Sequence, residues 1–314
     1  MIIQGSKGRQ SQNRHQDIQD VTGERRELPI LDASAAPRSV QEAQLPSVPK
    51  RKTFKLAGKT AEIVLGLLGI TVLLLLWEVS SQLGWVSPRA VPPPSDVAMT
   101  ALELLARNDF WVALWNTIWA TVVGVAVMIA IAVPLSIAIH SSRVVEESTW
   151  FIIEFLKPIP GVALIPLALL VWGPTDGIKV ALIVFGGVWP LLTQLVYGLR
   201  ETSGVALNMV KVYQFSAWQR FRYLTMPSLM PFALTGLRIS VTLALIIAIV
   251  TEYIVGINGL GLLLSMAQLN GLIQQTYALL FFSGVLGLLA SGLIAALSGP
   301  LLFWHPSQRE KRGK

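Results

Sequence analysis

Cysteine is absent from the chain, which excludes disulfides and thiolate chemistry. Histidine is nearly absent: His15, His140 and His305 lie in tails or at the ends of apolar runs and form no metal-binding cluster. Charge is scarce as well. Asp, Glu, Lys and Arg make up 14% of the sequence, against about 25% in an ordinary soluble domain. Residues 1–30 contain no apolar run of the length a secretory leader needs, so none is expected.

What remains is apolar. Of 314 residues 53% are hydrophobic, and they concentrate between Ala61 and Trp304. A hydrocarbon layer about 30 Å thick needs about 20 apolar residues in a helix. Several segments meet that length, so the expected fold is an all-α polytopic membrane protein. Six spans are read: Ala61–Ser80, Ala113–Ile139, Trp150–Trp172, Ile178–Leu199, Pro231–Ile254 and Ala278–Trp304. Three regions result: a polar, disordered tail over 1–60, a membrane domain over 61–304 and a short basic tail over 305–314. Lys50, Arg51, Lys52, Lys55 and Lys59 abut the first span, where anionic lipid headgroups would attract them.

The formal net charge is +7. Its distribution follows membrane orientation rather than a nucleic-acid face, so no nucleic-acid partner is expected. Among the short segments, those on the side of the termini hold nine Lys and Arg. The opposite side holds Arg89, Arg107 and Lys179. Both termini are therefore expected in the cytoplasm, and Trp111, Trp115 and Trp119 near the outer interface. Outside, Ser95 or Asp96 is expected to cap a short amphipathic helix after the proline run 92–94. The glycine-rich, uncharged segment 256–277 is too polar for a clean span and reads as a partly inserted or surface-lying helix.

The stretch 208–227, NMVKVYQFSAWQRFRYLTMP, interrupts the apolar pattern. Val205, Met209 and Val212 recur at helical spacing. Ser216 and Gln219 form a capping-box pattern that starts a second helix, which Pro227 is expected to end. The prediction is a helix–turn–helix wedge on the cytoplasmic side, with Trp218 and Phe221 beside Arg220 and Arg222. Span three carries Lys157, Pro158 and Pro160. The prolines predict a kink that lines a path or acts as a hinge, and Glu154 can pair with Lys157 at i,i+3. In span five, Arg238 reads as an interfacial anchor. Glu252, near the outer end, is expected to pair with a polar group of 256–277 and help close an outer gate.

The intervals in 208–227 match the cytoplasmic loop of binding-protein-dependent ABC importer permeases, EAA-x3-G-x9-I-x-L-P. Asn208, Met209 and Val210 stand at the first three positions, Gln214 at the glycine, then Leu224, Met226 and Pro227. LKPIPGVALIPLALLVWG (156–173), VPPPSDV, GINGLGLLL and the run from Val212 to Ser240 resemble the nitrate/sulfonate/taurine/bicarbonate branch, from about residue 60 to 304. The resemblance implies the type I ABC importer permease fold. It also implies two ATPase subunits, a second permease copy (homodimer or heterodimer), an extracytoplasmic solute-binding protein and a location in the bacterial inner membrane.

By that resemblance, Asn208, Met209, Val210, Gln214, Ser216, Trp218 and Pro227 couple to the ATPase. Lys157, Pro158, Pro160, Arg238 and Glu252 are candidates for the path or gate of a small anion. The chain itself is expected to be no enzyme and to bind no cofactor, with ATP and Mg on the partner. TFKLAGKT (53–60) lacks the first glycine of a phosphate loop, and no strand precedes it. The competing reading is an ion-coupled secondary transporter. That fold would place paired broken helices and mid-depth carboxylates in two repeated halves, and neither is evident.

Overall fold

The structure, a computed structural model, describes residues 58–87, 89–202 and 204–302. The expectations for the tails, including the basic run 50–55 and residues 305–314, lie outside those residues. The packing lies within Ile63–Lys314, one of two units into which contacts divide the chain.

The described residues are helical throughout, with short connections. In chain order the helices are α1 Gly58–Gln82, α2 Pro94–Leu105, α3 Asn108–Ser141, α4 Arg143–Leu156, α5 Ile165–Trp172 and α6 Asp176–Arg200. They continue with α7 Gly204–Val212, α8 Ala217–Arg220, α9 Met226–Val255, α10 Leu260–Leu269 and α11 Ile273–Leu301. Five are long and apolar enough to cross a membrane: α1, α3, α6, the continuous helix formed by α8 and α9, and α11. The bent pair α4–α5 makes a sixth if it counts as one span.

Span three therefore departs from a simple kink. Its halves meet at 80°, because Pro158 and Pro160 both remove backbone donors within one turn. Pro160 is extended at φ −65°, ψ 121°, and a tight turn at Gly161–Leu164 restarts the chain into α5. Gly161 lets this elbow seat on α6: a Cβ there would lie 3.3 Å from the Gly186 Cα.

A second correction concerns Pro227, which does not end the helix begun at Ser216. Residues Phe221–Thr225 form a wider, π-type turn that runs straight into α9. The Met226 N–H bonds to the Phe221 carbonyl, five residues back. The proline thus falls in the first turn of α9, where a missing N–H costs little.

α6 is the centre of the bundle, packed most extensively on α9 and α3. Met128, Ile139, Ile153, Leu192 and Val196 form one core around it, and Ile178, Ile183, Ala244 and Ile247 another. A third core, including Phe110, Leu104, Leu260 and Leu279, joins α2, α3, α10 and α11. The 256–277 segment is thus a packed part of the bundle, with Leu260, Gly261, Leu264 and Ala267 of α10 buried. In α2 neither Ser95 nor Asp96 caps: the cap position is Pro93. Instead Glu78 of α1 accepts the Ser95 N–H at 3.1 Å and its hydroxyl at 2.9 Å.

Candidate functional site

Two features stand apart from ordinary helix packing. The first is the hairpin α7–α8. Neither helix buries a single residue. Val212 is 77% exposed, and Tyr213 and Trp218 70% each. Trp218 stacks on Phe221 at 5.8 Å and Tyr213 lies 6.5 Å from Phe215, so the aromatic surface is organised without being covered. Asn208 and Met209 are exposed beside it and Val210 is half-buried.

The turn is held by two devices. The capping box is present in full: Gln219 N–H donates to Ser216 Oγ at 3.3 Å, and Ser216 N–H to Gln219 Oε1 at 2.8 Å. Gln214 sits at φ 51°, the only left-handed non-glycine among the described residues. It occupies the place where the importer loop pattern has glycine, and it adopts the backbone that a glycine would take at about 1–2 kcal/mol less strain. The hairpin joins the bundle at Arg200, whose guanidinium pairs with Glu146 and lies 5.8 Å over the Trp150 ring.

The second feature is a knot of buried polar groups at the opposite end of the bundle. Glu252 of α9 is fully buried. Its carboxylate accepts the Thr117 hydroxyl at 2.8 Å, the Gly261 N–H at 3.1 Å and Lys179 Nζ at 3.4 Å. Thr117 Oγ1 in turn accepts the Leu260 N–H at 2.9 Å. Lys179 is 1% exposed and also donates to the Asn258 carbonyl at 2.8 Å, with Asp176 at 3.0 Å. Lys179, counted in the sequence among the charges of the outer side, points inward, because Asp176 begins α6 and one turn carries Lys179 onto the core face.

Glycines make this knot possible. Gly256 ends α9 in the left-handed region at φ 76°, as helix termini often require. A Cβ at Gly259 would fall 2.0 Å from the Glu252 carboxyl carbon, and one at Gly261 would lie 2.1 Å from the Ile249 carbonyl. The chain therefore wraps the carboxylate closely enough for the first amides of α10 to bond Glu252 and Thr117. The pairing of Glu252 with 256–277 occurs, through a backbone amide. The sequence reading missed Thr117 and Lys179. The faint signal was Lys179 one helical turn after Asp176, together with the glycine spacing of GINGLG.

The other candidates are dispersed. Lys157 pairs with Glu154 at 3.8 Å, both about half exposed, at the end of α4. Pro158 and Pro160 form the elbow beside it. Arg238 of α9 is exposed, and its Nε donates to Ser291 Oγ of α11 at 2.9 Å. It reaches toward a neighbouring helix rather than back along its own. Neither Lys157 nor Arg238 joins the Glu252 knot. Among the described residues, no cluster of three or more His, Asp or Glu could hold a metal ion.

Comparison with known proteins agrees with this architecture. The family model for the binding-protein-dependent transport system inner membrane component matches residues 129–302, more than half of the chain. A permease of Escherichia coli (strain K12) named for aliphatic sulfonates transport, SsuC, is 28% identical over 240 residues, covering 75% of this chain and 90% of that protein. The formylaminopyrimidine transport permease protein ThiX of Halalkalibacterium halodurans is 29% identical, covering 76% and 94%. The bicarbonate transport system permease protein CmpB of Synechocystis sp. is 26% identical, covering 76% and 89%. The chain belongs to the family of inner-membrane components of binding-protein-dependent transport systems.

Proposed function

We propose that this chain is the permease subunit of an ATP-driven importer for a small anionic solute. In this reading α7–α8 is the lever that a separate ATPase grips. A second permease copy, identical or related, completes the path, and a soluble binding protein delivers solute at the end that carries Glu252. The termini and the hairpin then share the cytoplasmic side, in keeping with the Lys and Arg bias of the short segments.

The observation that carries the reading is the uncovered hairpin. A nine-residue helix such as α7 gains little stability alone, yet its capping box and strained turn are fully formed without any buried contact. Such a surface fits a cleft in another protein, with Trp218 as an aromatic anchor. A small anion is favoured by the names of SsuC and CmpB; ThiX marks a different solute within the same family.

The test is co-purification of the chain from membranes with its ATPase. Trp218→Ala should weaken that association roughly 30-fold or more, the scale of an interface hot spot. The thermal midpoint of the permease itself should change little, since Trp218 is 70% exposed and stacks on the neighbouring Phe221. The absence of cysteine gives a second readout: Val212→Cys should be reached by impermeant thiol reagents only from the cytoplasmic side. Labelling from outside, or solute uptake driven by an ion gradient with no ATPase bound, overturns the proposal in favour of a secondary transporter.

A further inference from the structure

Two cations, Lys179 at the start of α6 and Arg238 within α9, are treated oppositely by the fold. Lys179 is buried and neutralised by Glu252. Arg238 is exposed and has no carboxylate partner among the described residues; Ser291 Oγ is its hydrogen-bond acceptor. At 1.5 Å per residue Arg238 lies about 10 Å into the apolar stretch that begins at Pro231 and about 26 Å from Val255. Ser291 lies about 15 Å from Leu301 and about 27 Å from Ile273 by the same measure. Arginine at such depth is expensive against lipid, and such groups face protein interiors or water.

The surroundings of Arg238 are open and mixed, with Leu288 of α11 75% exposed beside Ser291. Thr235, Arg238 and Thr242 share one face of α9 with Ile246, at steps of three and four residues. Gly284 and Gly287 occupy the same face of α11 as Ser291, and no atom lies within 4 Å of where their side chains would begin. The Arg238–Ser291 bond uses Nε and orients the guanidinium. Both terminal nitrogens then remain as a two-pronged donor, and the Ser291 hydroxyl, having accepted, keeps its own proton to donate. A rigid fork with an adjacent hydroxyl is the donor set that planar or tetrahedral oxyanions accept best.

We propose that Arg238 and Ser291 form a subsite for a small oxyanion on the solute's route through the bundle. The inference rests on the permease reading and names the chemistry its path recognises: a nitrate-, bicarbonate- or sulfonate-type group. Lys179 cannot serve, because Glu252 already satisfies it. Lys157 cannot serve either, because Glu154 shares its charge at the end of α4.

The cysteine-free sequence makes the test direct. Thr235→Cys and Ile246→Cys each place one thiol on the Arg238 face, in the importer held in its membrane. Each is reacted with a methanethiosulfonate carrying an ethylsulfonate group, and with its trimethylammonium counterpart. Corrected for intrinsic reactivity, the anionic reagent should be favoured about tenfold at Thr235→Cys. Adding Arg238→Gln should bring the preference to parity, Arg238→Lys should keep part of it, and Ser291→Ala should reduce it about twofold to threefold. Millimolar methanesulfonate or nitrate should slow the anionic reagent only while Arg238 is present.

A preference that survives Arg238→Gln overturns the subsite, as does parity with Arg238 intact. Failure of both thiols to react with either reagent overturns it too, by placing the face against lipid or a tightly packed copy. Charge-blind labelling in a complex that still binds its ATPase sinks the subsite alone. A chain that never binds an ATPase sinks the permease reading instead.

Discussion

Removing Lys179 should damage this protein more than neutralising Glu252, although the two form one ion pair. In Lys179→Met the Glu252 carboxylate stays fully buried. It keeps the Thr117 hydroxyl and the Gly261 amide but loses its only cationic partner among the described residues. Breaking a buried pair from one side costs about 3–5 kcal/mol, because the abandoned charge stays out of water. In Glu252→Gln the abandoned charge is Lys179, which is better provided for: Asp176 lies 3.0 Å away and the Asn258 carbonyl 2.8 Å away. Its penalty should be nearer about 1–3 kcal/mol, mostly from an amide group turned toward a donor. At about 2–4 °C per kcal/mol for a chain of this size, Lys179→Met should lower the midpoint by roughly 6–20 °C. Glu252→Gln should lower it by about half as much, roughly 2–12 °C. Fluorescence-detected size-exclusion after heating, in lipid nanodiscs, reads both, and the double variant Lys179→Met/Glu252→Gln should recover much of the larger loss. A midpoint for Lys179→Met within about 2 °C of the parent, or the reverse order of the two variants, would show that the knot is not held by charge pairing.

The glycine spacing around that knot gives a second expectation. Gly261→Ala should destabilise severely, since the new carbon meets backbone at 2.1 Å, whereas Gly284→Ala on the open face of α11 should be nearly neutral; expression and thermal midpoint decide it, and equal effects refute the steric account. At the hairpin, Gln214→Gly should be tolerated. It relieves about 1–2 kcal/mol of left-handed strain and gives back about 0.5–1 kcal/mol in chain entropy. ATPase association and ATP-driven uptake should stay at the parent level, and complete loss of uptake would mean that the Gln214 side chain is itself required.

The legibility of the sequence followed the range of the interactions. Apolar length missed the extension of span five from Pro231 back to Ala217, but it located the long helices, because a span depends on summed composition rather than on any contact. The Ser216–Gln219 box was readable for the same reason: donor and acceptor lie within four residues, and the chemistry is complete there. The elbow at Pro158 and Pro160 was half legible. Two prolines announce missing donors, but the 80° angle depends on Gly161 meeting Gly186 of another helix. The π-type turn before Pro227 was not legible, since nothing local distinguishes a helix that widens from one that stops. Least legible was the Glu252 knot, whose partners Thr117 and Lys179 lie 135 and 73 residues away. A lysine near a helix start reads as surface until the helix is turned to show its inner face.

The three notable features share one mechanical element. Ala217–Val255 is a single helix of 39 residues, about 58 Å long. It carries the hairpin at one end, Glu252 at the other and Arg238 between them. Its contact with α6 is close along most of that length. A Cβ on Gly186 would strike Ile247 at 2.4 Å, one on Gly198 would strike Leu229 at 2.8 Å, and one on Gly236 would meet Gln194 at 2.8 Å. Ser240 adds a hydrogen bond to the Gly187 carbonyl at 2.8 Å. Backbones packed this closely resist sliding past one another, as small residues at membrane-helix interfaces allow, so the pair should tilt together as one body. The compliant place is the π-type turn at Phe221–Thr225, where the hairpin joins the rod and hydrogen bonding is already irregular. A force applied at Trp218 would then be divided between bending that turn and rocking the rod. Only the second part reaches Arg238 and the Glu252 knot, and it does so with no separate relay of side chains in between.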